Sequence, residues 1–213
     1  VFTYIEDWNK LTKRMAFWID LEHPYITLEN YYIESVWWSL KQLYKKGLLF
    51  ESHKVVPYCP RSETPLSSHE VALGYNEVTE ETITTKFKLK DEERYLIAWT
   101  TTPWTTPGNI GLAVRKDIVY AVVEKDSTQY ILAKDTVNRY FENPVIIQEI
   151  TGEELVGKEY IPLFDYFVGK LSKPAFRIIA ADFVNTEEGT GIVHQAPAFG
   201  EEDDLLIGPP HLG

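Results

Sequence analysis

Residues 83–102, ITTKFKLKDEERYLIAWTTT, decide the fold of this chain. They contain two short runs, 83–90 and 95–102, that are rich in β-branched and aromatic residues and are separated by a turn signal. Similar runs follow at 111–115, 120–124, 129–133, 145–150, 177–184 and 191–196. One helix is predicted among them, near residues 135–141, with Asp135 as its N-cap. Many short strands with few helices predict a mainly β barrel or sandwich with peripheral helices.

Residues 1–74 have a different pattern. Apolar side chains recur there at helical spacing and predict one amphipathic helix that ends near Gly47; they are Ile33, Val36, Trp37, Leu40, Leu43 and Tyr44. A short strand at 54–58 and a turn-rich stretch at 59–68 follow. We therefore predict an α+β chain: a helical segment at 1–74, a β-barrel domain at 75–207 and a tail of unclear origin at 208–213.

Composition and charge limit the possible functions. The chain has 213 residues and a net charge of −11, of which residues 75–213 carry 13 basic and 23 acidic groups. This excess of acid argues against broad binding of a nucleic-acid backbone, although a pocket for one terminal nucleotide remains possible. The single cysteine, Cys59, excludes a disulfide within the chain and fits a reducing, cytoplasmic setting.

The hydropathy of the chain and its first residues lead to two further expectations. No apolar run approaches the ~20 residues of a membrane helix, so no membrane partner is expected. The start, VFTYIEDWNK, lacks an initiator Met and does not read as a signal peptide. We therefore expect the chain to be a piece of a longer protein.

The first candidate site is residues 99–109, WTTTPWTTPGN, with five threonines within seven residues. Pro103 cannot donate to a strand ladder, so the preceding strand must end there or lie at an edge. Hydroxyls and free backbone N–H groups are thus expected where a strand becomes a loop, and such groups can bind a ribose, a carbonyl oxygen or a water. An alternative stays open, because threonine is also common in ordinary strands and turns.

The second candidate site is residues 188–203, EGTGIVHQAPAFGEED. A turn flanked by glycines leads into a strand that carries His194, and the following loop ends in an acidic cluster. The carboxylate of Asp203 could hold a substrate ammonium group through a charge-assisted hydrogen bond. The alternatives are that Asp203 is a helix N-cap or part of a solvated turn, and that His194 is a satisfied strand histidine.

Other familiar catalytic and metal-binding sets are absent from the sequence. It has no G-x-S-x-G, H-E-x-x-H or P-loop motif. Residues 59–62, CPRS, look like half of a C-x-x-C knuckle, and a four-ligand zinc site needs more than Cys59 and its neighbours provide. We expect no zinc at Cys59, no other metal and no cofactor.

Together, residues 99–105 and 189–203 resemble the two signature stretches of the editing insertion found in class I aminoacyl-tRNA synthetases for isoleucine, valine and leucine. Residues 34–38 and 56–60 resemble the catalytic-domain stretch that leads into this insertion, residues 64–71 resemble its entry strand, and 155–166 match a further segment. The likeness spans residues 15–203. The isoleucine enzymes have histidine at the position of His194, where the valine enzymes usually have lysine and the leucine enzymes neither, so the isoleucine enzyme is favoured.

The resemblance implies hydrolysis of valine from the 3′ end of an isoleucine tRNA by a positioned water, without a covalent intermediate. Asp203 would anchor the α-ammonium group, and His194 would line the side-chain pocket and exclude isoleucine. Four threonines would contact the terminal adenosine, the ester or the water: Thr100, Thr101, Thr102 and Thr105. Further binding residues would be Asn109, as a support of the loop, Trp104 and Gly191.

The same resemblance implies which partners the protein is expected to have. They are the valine-charged 3′ end of the isoleucine tRNA and the remainder of the synthetase chain, with a monomeric protein expected. The chain should not aminoacylate tRNA by itself. Two alternatives stay open: an editing domain of a valine or leucine enzyme, and a non-catalytic module that binds the 3′ end of tRNA.

Overall fold

A computed structural model describes residues 2–171 and 174–208 of the chain. The predicted tail at 208–213 lies outside the described residues except for Gly208. The chain forms two compact units, Val1–Ser52 and His53–Gly213. The domain boundary near residue 75, which concerns where an editing domain begins, stays a prediction.

The first unit consists of helices. A 3₁₀ turn at Phe2–Tyr4 leads into α1 (Ile5–Arg14), and α2 covers Asn30–Lys45. The predicted amphipathic helix is therefore confirmed, and Gly47 follows it with a φ of +69°. Within these two described helices no side chain is buried. Trp37, in the apolar stripe of α2, is 67% exposed, and the adjacent Trp38 is 65% exposed.

The second unit begins with a small hairpin and a helix. Strands β1 (Tyr58–Cys59) and β2 (Thr64–Pro65) pair antiparallel, and α3 covers Ser68–Leu73. The Ser67 side chain accepts from the N–H of Glu70, whose carboxylate accepts from the N–H of Ser67, so a capping box starts the helix. The entry strand expected at 64–71 is thus a strand only at residues 64–65, and residues 68–71 are helical. The strand predicted at 54–58 is wrong except at Tyr58.

Five strands form the larger sheet, in the order β3-β4-β7-β6-β8. They are β3 (Ile83–Lys88), β4 (Arg94–Thr100), β6 (Val119–Lys125), β7 (Thr128–Ala133) and β8 (Val145–Thr151). Only the β4–β7 pair is parallel. A second sheet has the order β10-β5-β9 and contains β5 (Gly111–Val114), β9 (Arg177–Ala180) and β10 (Val193–Gln195). All eight predicted strands of this region therefore exist, although the last two are shorter than expected.

Short helices lie at the ends of these strands. A 3₁₀ helix at Pro103–Gly108 joins β4 to β5, and α6 (Glu201–Ile207) follows β10. The remaining pieces are a 3₁₀ turn at Lys134–Thr136, α4 (Val137–Tyr140) and α5 (Gly152–Leu155). Asp135 lies inside the 3₁₀ turn, and Thr136 stands at the N-cap of α4, so the predicted N-cap is wrong.

The architecture is α+β, as predicted, but the described strands do not close into a barrel. They form three separate sheets, and β3 and β8 are the two edge strands of the largest one. The core is instead built by facing residues of the two larger sheets, including Phe87, Leu96, Leu112, Tyr120 and Ile178. In the described part of the chain, no helix has the length and apolar character needed to cross a membrane.

Candidate functional site

A cavity of about 540 Å³ brings the two candidate segments together. The end of β4 and the start of the 3₁₀ helix form one wall, and the turn before β10, β10 itself and the start of α6 form the other. Seven of the residues proposed from the sequence line it: Thr100, Thr101, Thr102, Thr105, Gly191, His194 and Asp203. Its volume lies within the range of small-molecule binding sites.

The threonine hydroxyls form a connected chain along the first wall. Thr100 Oγ1 lies 3.3 Å from Thr102 Oγ1 and accepts from the Thr102 N–H at 3.1 Å. Thr102 Oγ1 lies 3.2 Å from Thr105 Oγ1, which donates to the Thr102 carbonyl at 2.8 Å. β4 ends at Thr100, and Pro103 stands at the first position of the 3₁₀ helix that follows, where its missing N–H is tolerated.

His194 connects the two walls from the middle of β10. Its Nε2 lies 3.0 Å from Thr105 Oγ1, and its side chain is buried, with 8% of the residue exposed. Burial lowers the pKa of His194, and the negative charge of Asp203 opposes that shift. Its Nδ1 is buried and meets no hydrogen-bond partner among the described residues. The imidazole is therefore held neutral near neutral pH, as part of the cavity wall.

Asp203 lies in the first turn of α6 and lines the cavity. Its Oδ2 accepts from the Ala196 N–H at 2.8 Å, which ties the start of α6 back to the end of β10. Gly200 is the N-cap of α6, so the alternative that Asp203 is a helix N-cap is wrong. Among the hydrogen bonds of the described residues, this is the one that fixes the Asp203 carboxylate.

Two proposed binding residues do not line the cavity. Trp104 is 64% exposed and is not part of the cavity wall. Asn109 is buried beneath the loop, where its Nδ2 donates to the Gly111 carbonyl at 2.8 Å and its Oδ1 accepts from the Tyr160 hydroxyl at 2.6 Å. These bonds join Asn109 to β5 and to Tyr160, and its role as a support of the loop stays a prediction. The functional roles of all the proposed site residues remain predictions.

Gly191 has a conformational and a steric reason to be glycine. Its φ is +73°, and a Cβ there would lie 2.5 Å from the Cβ of Ala133. Its carbonyl accepts from the hydroxyl of Tyr120 at 2.8 Å, so the turn rests on a buried tyrosine of β6.

Several residues that line the cavity were not predicted from the sequence. Phe199 lies within the second segment, and its ring packs so closely over Gly108 that a Cβ at Gly108 would be 2.8 Å from the ring. Trp99 was part of the first segment but received no role. Phe183 and Asn185 lie outside both segments, and only their position just before the glycine-flanked turn at 189–191 could have indicated them.

Cys59 lies at the end of β1, close to Ser62. Hydrogen bonds from the Ser62 side chain and backbone lower the pKa of the Cys59 thiol. Among residues 2–171 and 174–208, no group of three or more His, Cys, Asp or Glu side chains could hold a metal ion. The expectation that zinc does not bind at Cys59 stays a prediction.

Comparisons with known proteins agree on one family. Residues 1–195 match the family tRNA synthetases class I (I, L, M and V). The isoleucine–tRNA ligase of Clostridium tetani is 50% identical over 208 residues, which are 97% of this chain and 20% of that protein. The isoleucine–tRNA ligase of Thermus thermophilus is 46% identical over 210 residues, which are 95% of this chain and 20% of that protein. The chain thus spans about a fifth of the length of these relatives.

Solved structures give a weaker likeness. GlLeuRS-CP1 aligns with a TM-score of 0.46 and 18% identity, over 55% of each chain. The editing domain of the cytosolic leucyl-tRNA synthetase of P. knowlesi aligns with a TM-score of 0.44 and 15% identity, over 55% of this chain and 58% of that one. On the match of residues 1–195, the chain belongs to the class I tRNA synthetases of the isoleucine, leucine, methionine and valine group.

Proposed function

We propose that the cavity hydrolyses the ester that joins valine to the 3′ end of an isoleucine tRNA, as the editing part of a longer cytoplasmic isoleucine–tRNA ligase. Residues 75–207 would be the editing domain, and residues 1–74 part of the catalytic domain. One observation supports this most directly: a backbone-anchored carboxylate, Asp203, and a chain of threonine hydroxyls line the same cavity. The relatives that match nearly the whole chain are isoleucine–tRNA ligases.

The proposed reaction is needed because a single binding pocket can select between similar amino acids only to a limited degree. A pocket that fits isoleucine cannot strongly reject valine, which lacks only one methylene group, and this pair is the standard example of that limit. A second cavity can select in the opposite direction if it admits valine and excludes isoleucine by size. His194, buried in the cavity wall, is the proposed barrier to the larger side chain.

Asp203 is proposed to bind the α-ammonium group of the amino acid. The Ala196 N–H occupies one carboxylate oxygen, so an ammonium group can bind the other. Pairing with a cation lowers the basicity of a carboxylate, and Asp203 therefore acts as an anchor rather than as a general base. The hydroxyls of Thr100, Thr101 and Thr102 would orient the ester and the water. Orientation and hydrogen bonding at the developing oxyanion would then lower the barrier to hydrolysis.

The charge of the chain fits a limited contact with tRNA. Residues 75–213 carry 13 basic and 23 acidic groups, which disfavours a long phosphate-binding surface. The cavity would take only the terminal nucleotide with its amino acid. The rest of the tRNA would be held by the remainder of a monomeric synthetase.

Asp203→Asn tests the anchor. We expect kcat/KM for deacylation of valyl-tRNA, prepared with isoleucine tRNA, to fall by roughly 100-fold, because the ammonium group loses its charged partner. Asp204→Asn is the matched control, since it removes the same charge from the next residue of α6, which does not line the cavity. Equal rates for the two variants would contradict the role of Asp203.

His194→Ala tests the selection by size. The wild-type chain should hydrolyse valyl-tRNA and spare isoleucyl-tRNA on the same tRNA. The variant should hydrolyse both, because the shortened side chain makes room for one methylene group, which corresponds to roughly 10-fold or more in selectivity. Unchanged selectivity would exclude His194 as the barrier. A wild-type chain that binds the charged tRNA end but hydrolyses neither ester would favour the non-catalytic binding module.

A further inference from the structure

Thr105 stands at the junction between the threonine chain and His194, and its single proton must be assigned. Its Oγ1 has three polar neighbours: the Thr102 carbonyl at 2.8 Å, His194 Nε2 at 3.0 Å and Thr102 Oγ1 at 3.2 Å. A hydroxyl donates one hydrogen bond and accepts up to two. Only one of the three contacts can therefore receive the Thr105 proton.

The Thr102 carbonyl oxygen fixes this choice, because a carbonyl can only accept. If Thr105 donated to His194 Nε2 instead, the 2.8 Å contact would bring two oxygen lone pairs together without a proton between them. When Thr105 donates to the carbonyl, its lone pairs can accept from His194 Nε2–H and from the Thr102 hydroxyl. All three contacts are then hydrogen bonds.

The surroundings of the other ring nitrogen of His194, Nδ1, support the same assignment of protons. His194 Nδ1 is buried and has no hydrogen-bond partner in the described part of the chain. A buried N–H without an acceptor is rarer in proteins than an acceptor without a donor. A proton on Nε2 is therefore favoured over a proton on Nδ1, and burial disfavours the imidazolium form that would carry both.

We propose that Thr105 is a positioning residue that holds the imidazole of His194 in one orientation, as the neutral Nε2–H tautomer. Its hydroxyl makes His194 a rigid wall of the cavity instead of a ring that can rotate about its side-chain bonds. The consequence for selectivity rests on the proposed function, in which His194 excludes isoleucine. The tautomer and its dependence on Thr105 do not rest on it.

Imidazole ¹⁵N NMR of the full chain tests the tautomer directly. The chain has five histidines, so His194→Gln identifies the signals of interest. We expect an unprotonated Nδ1 and a protonated Nε2 in the wild type. A wild-type spectrum with the proton on Nδ1 would overturn the proposal without the need for any variant.

Substitutions at Thr105 test the positioning. Thr105→Val keeps the shape but removes the hydroxyl, and it should shift the His194 ¹⁵N signals towards a mixture of tautomers, whereas Thr105→Ser should keep the wild-type signals. Thr106→Val is the matched control, because Thr106 is equally buried, at 7% exposed, and donates only to the Pro103 carbonyl. Identical His194 signals in Thr105→Val and the wild type would overturn the proposal.

Deacylation then shows whether the positioning matters for selection. In Thr105→Val we expect the rate for isoleucyl-tRNA relative to that for valyl-tRNA to rise by roughly 10-fold. Thr105→Ser should keep the wild-type ratio of the two rates, and Thr106→Val is the control for the loss of a buried hydroxyl elsewhere in the same helix. Unchanged selectivity in Thr105→Val, with altered ¹⁵N signals, would overturn the link to selectivity. A wild-type chain with the expected tautomer that hydrolyses neither ester would instead count against the proposed function alone.

Discussion

At the scale of single residues, the orientation of the Asp203 carboxylate depends on Gly200, three positions before it. Gly200 has an extended backbone, with φ −142° and ψ 133°, which any residue can adopt. A Cβ at this position would lie 3.2 Å from both Cγ and Oδ2 of Asp203, closer than ordinary van der Waals contact. Gly200 is therefore needed for space and not for conformational freedom, and an added methyl group would push the carboxylate away from the Ala196 N–H.

Gly200→Ala should lower kcat/KM for valyl-tRNA by roughly 10-fold, because a displacement of a few tenths of an ångström misplaces the anchor. Deacylation rates measure the effect. Gly74→Ala is the control, since its Cβ would meet the Val71 carbonyl oxygen at an ordinary 3.5 Å. If the loss acts through Asp203, the double variant with Asp203→Asn should be no slower than Asp203→Asn alone. Additive losses would show that Gly200 acts through other groups.

From the sequence, the residue types predicted which chemical groups line the cavity better than they predicted where each side chain lies. The threonines, His194 and Asp203 line one cavity, as expected for two segments that each follow a strand or a tight turn. Trp104 could not be placed from the sequence, because the 3₁₀ helix after Pro103 sets the direction of each side chain. Phe183 belongs to neither segment, and only the tertiary fold brings it to the cavity.

At the scale of elements, β6 supports the turn that carries the second half of the site. The Tyr120 hydroxyl donates to the Gly191 carbonyl at 2.8 Å and accepts from the Arg115 N–H at 3.2 Å. Tyr120 is fully buried, and its burial raises the pKa of the phenol to about 12. One side chain thus connects the end of β5, β6 and the turn before β10.

Tyr120→Phe should reduce the free energy of unfolding by about 1–3 kcal/mol, because the buried Gly191 carbonyl and the half-buried Arg115 N–H lose their partner. Above pH ~10 the unfolded wild type releases the phenol proton that the folded protein keeps, so its stability falls as pH rises. The difference between wild type and variant should then shrink by about 1.4 kcal/mol per pH unit until pH ~12. Urea unfolding at several pH values measures both effects.

The control for this experiment is Tyr75→Phe, because Tyr75 is 79% exposed. It should alter neither the stability nor its alkaline slope. A Tyr120→Phe variant whose stability difference stays constant from pH 8 to pH 12 would contradict the burial argument.

The strands could be predicted from composition because each is a short run of β-branched and aromatic residues between turn signals. Their arrangement could not, since the parallel pairing of β4 with β7 and of β5 with β9 depends on contacts distant in sequence. A barrel was predicted, but β3 and β8, the two edge strands of the larger sheet, do not pair with each other. The helix α3 was missed although Ser67 and Glu70 show the spacing of a capping box.

At the scale of the whole molecule, the hydrophobic core belongs to one of the two units. The buried apolar residues run from Phe87 to Ala196, all within His53–Gly213. The described helices of Val1–Ser52 contain no buried side chain, and the tryptophans of this unit are exposed, from 65% for Trp38 in α2 to 97% for Trp18 between the helices. Exposed apolar surface of this extent favours association between molecules.

A chain shortened to residues 53–213 should therefore fold on its own. Its midpoint of unfolding should match that of the full chain, because no buried apolar side chain of the core is removed. Sedimentation should show weaker self-association, since the exposed face with Trp37 and Trp38 is gone. Thermal unfolding monitored by circular dichroism checks the first expectation, and deacylation of valyl-tRNA at the full-chain rate would show that the cavity is complete. A shortened chain that unfolds well below the full chain would mean that the first unit stabilises the core, contrary to the distribution of buried residues.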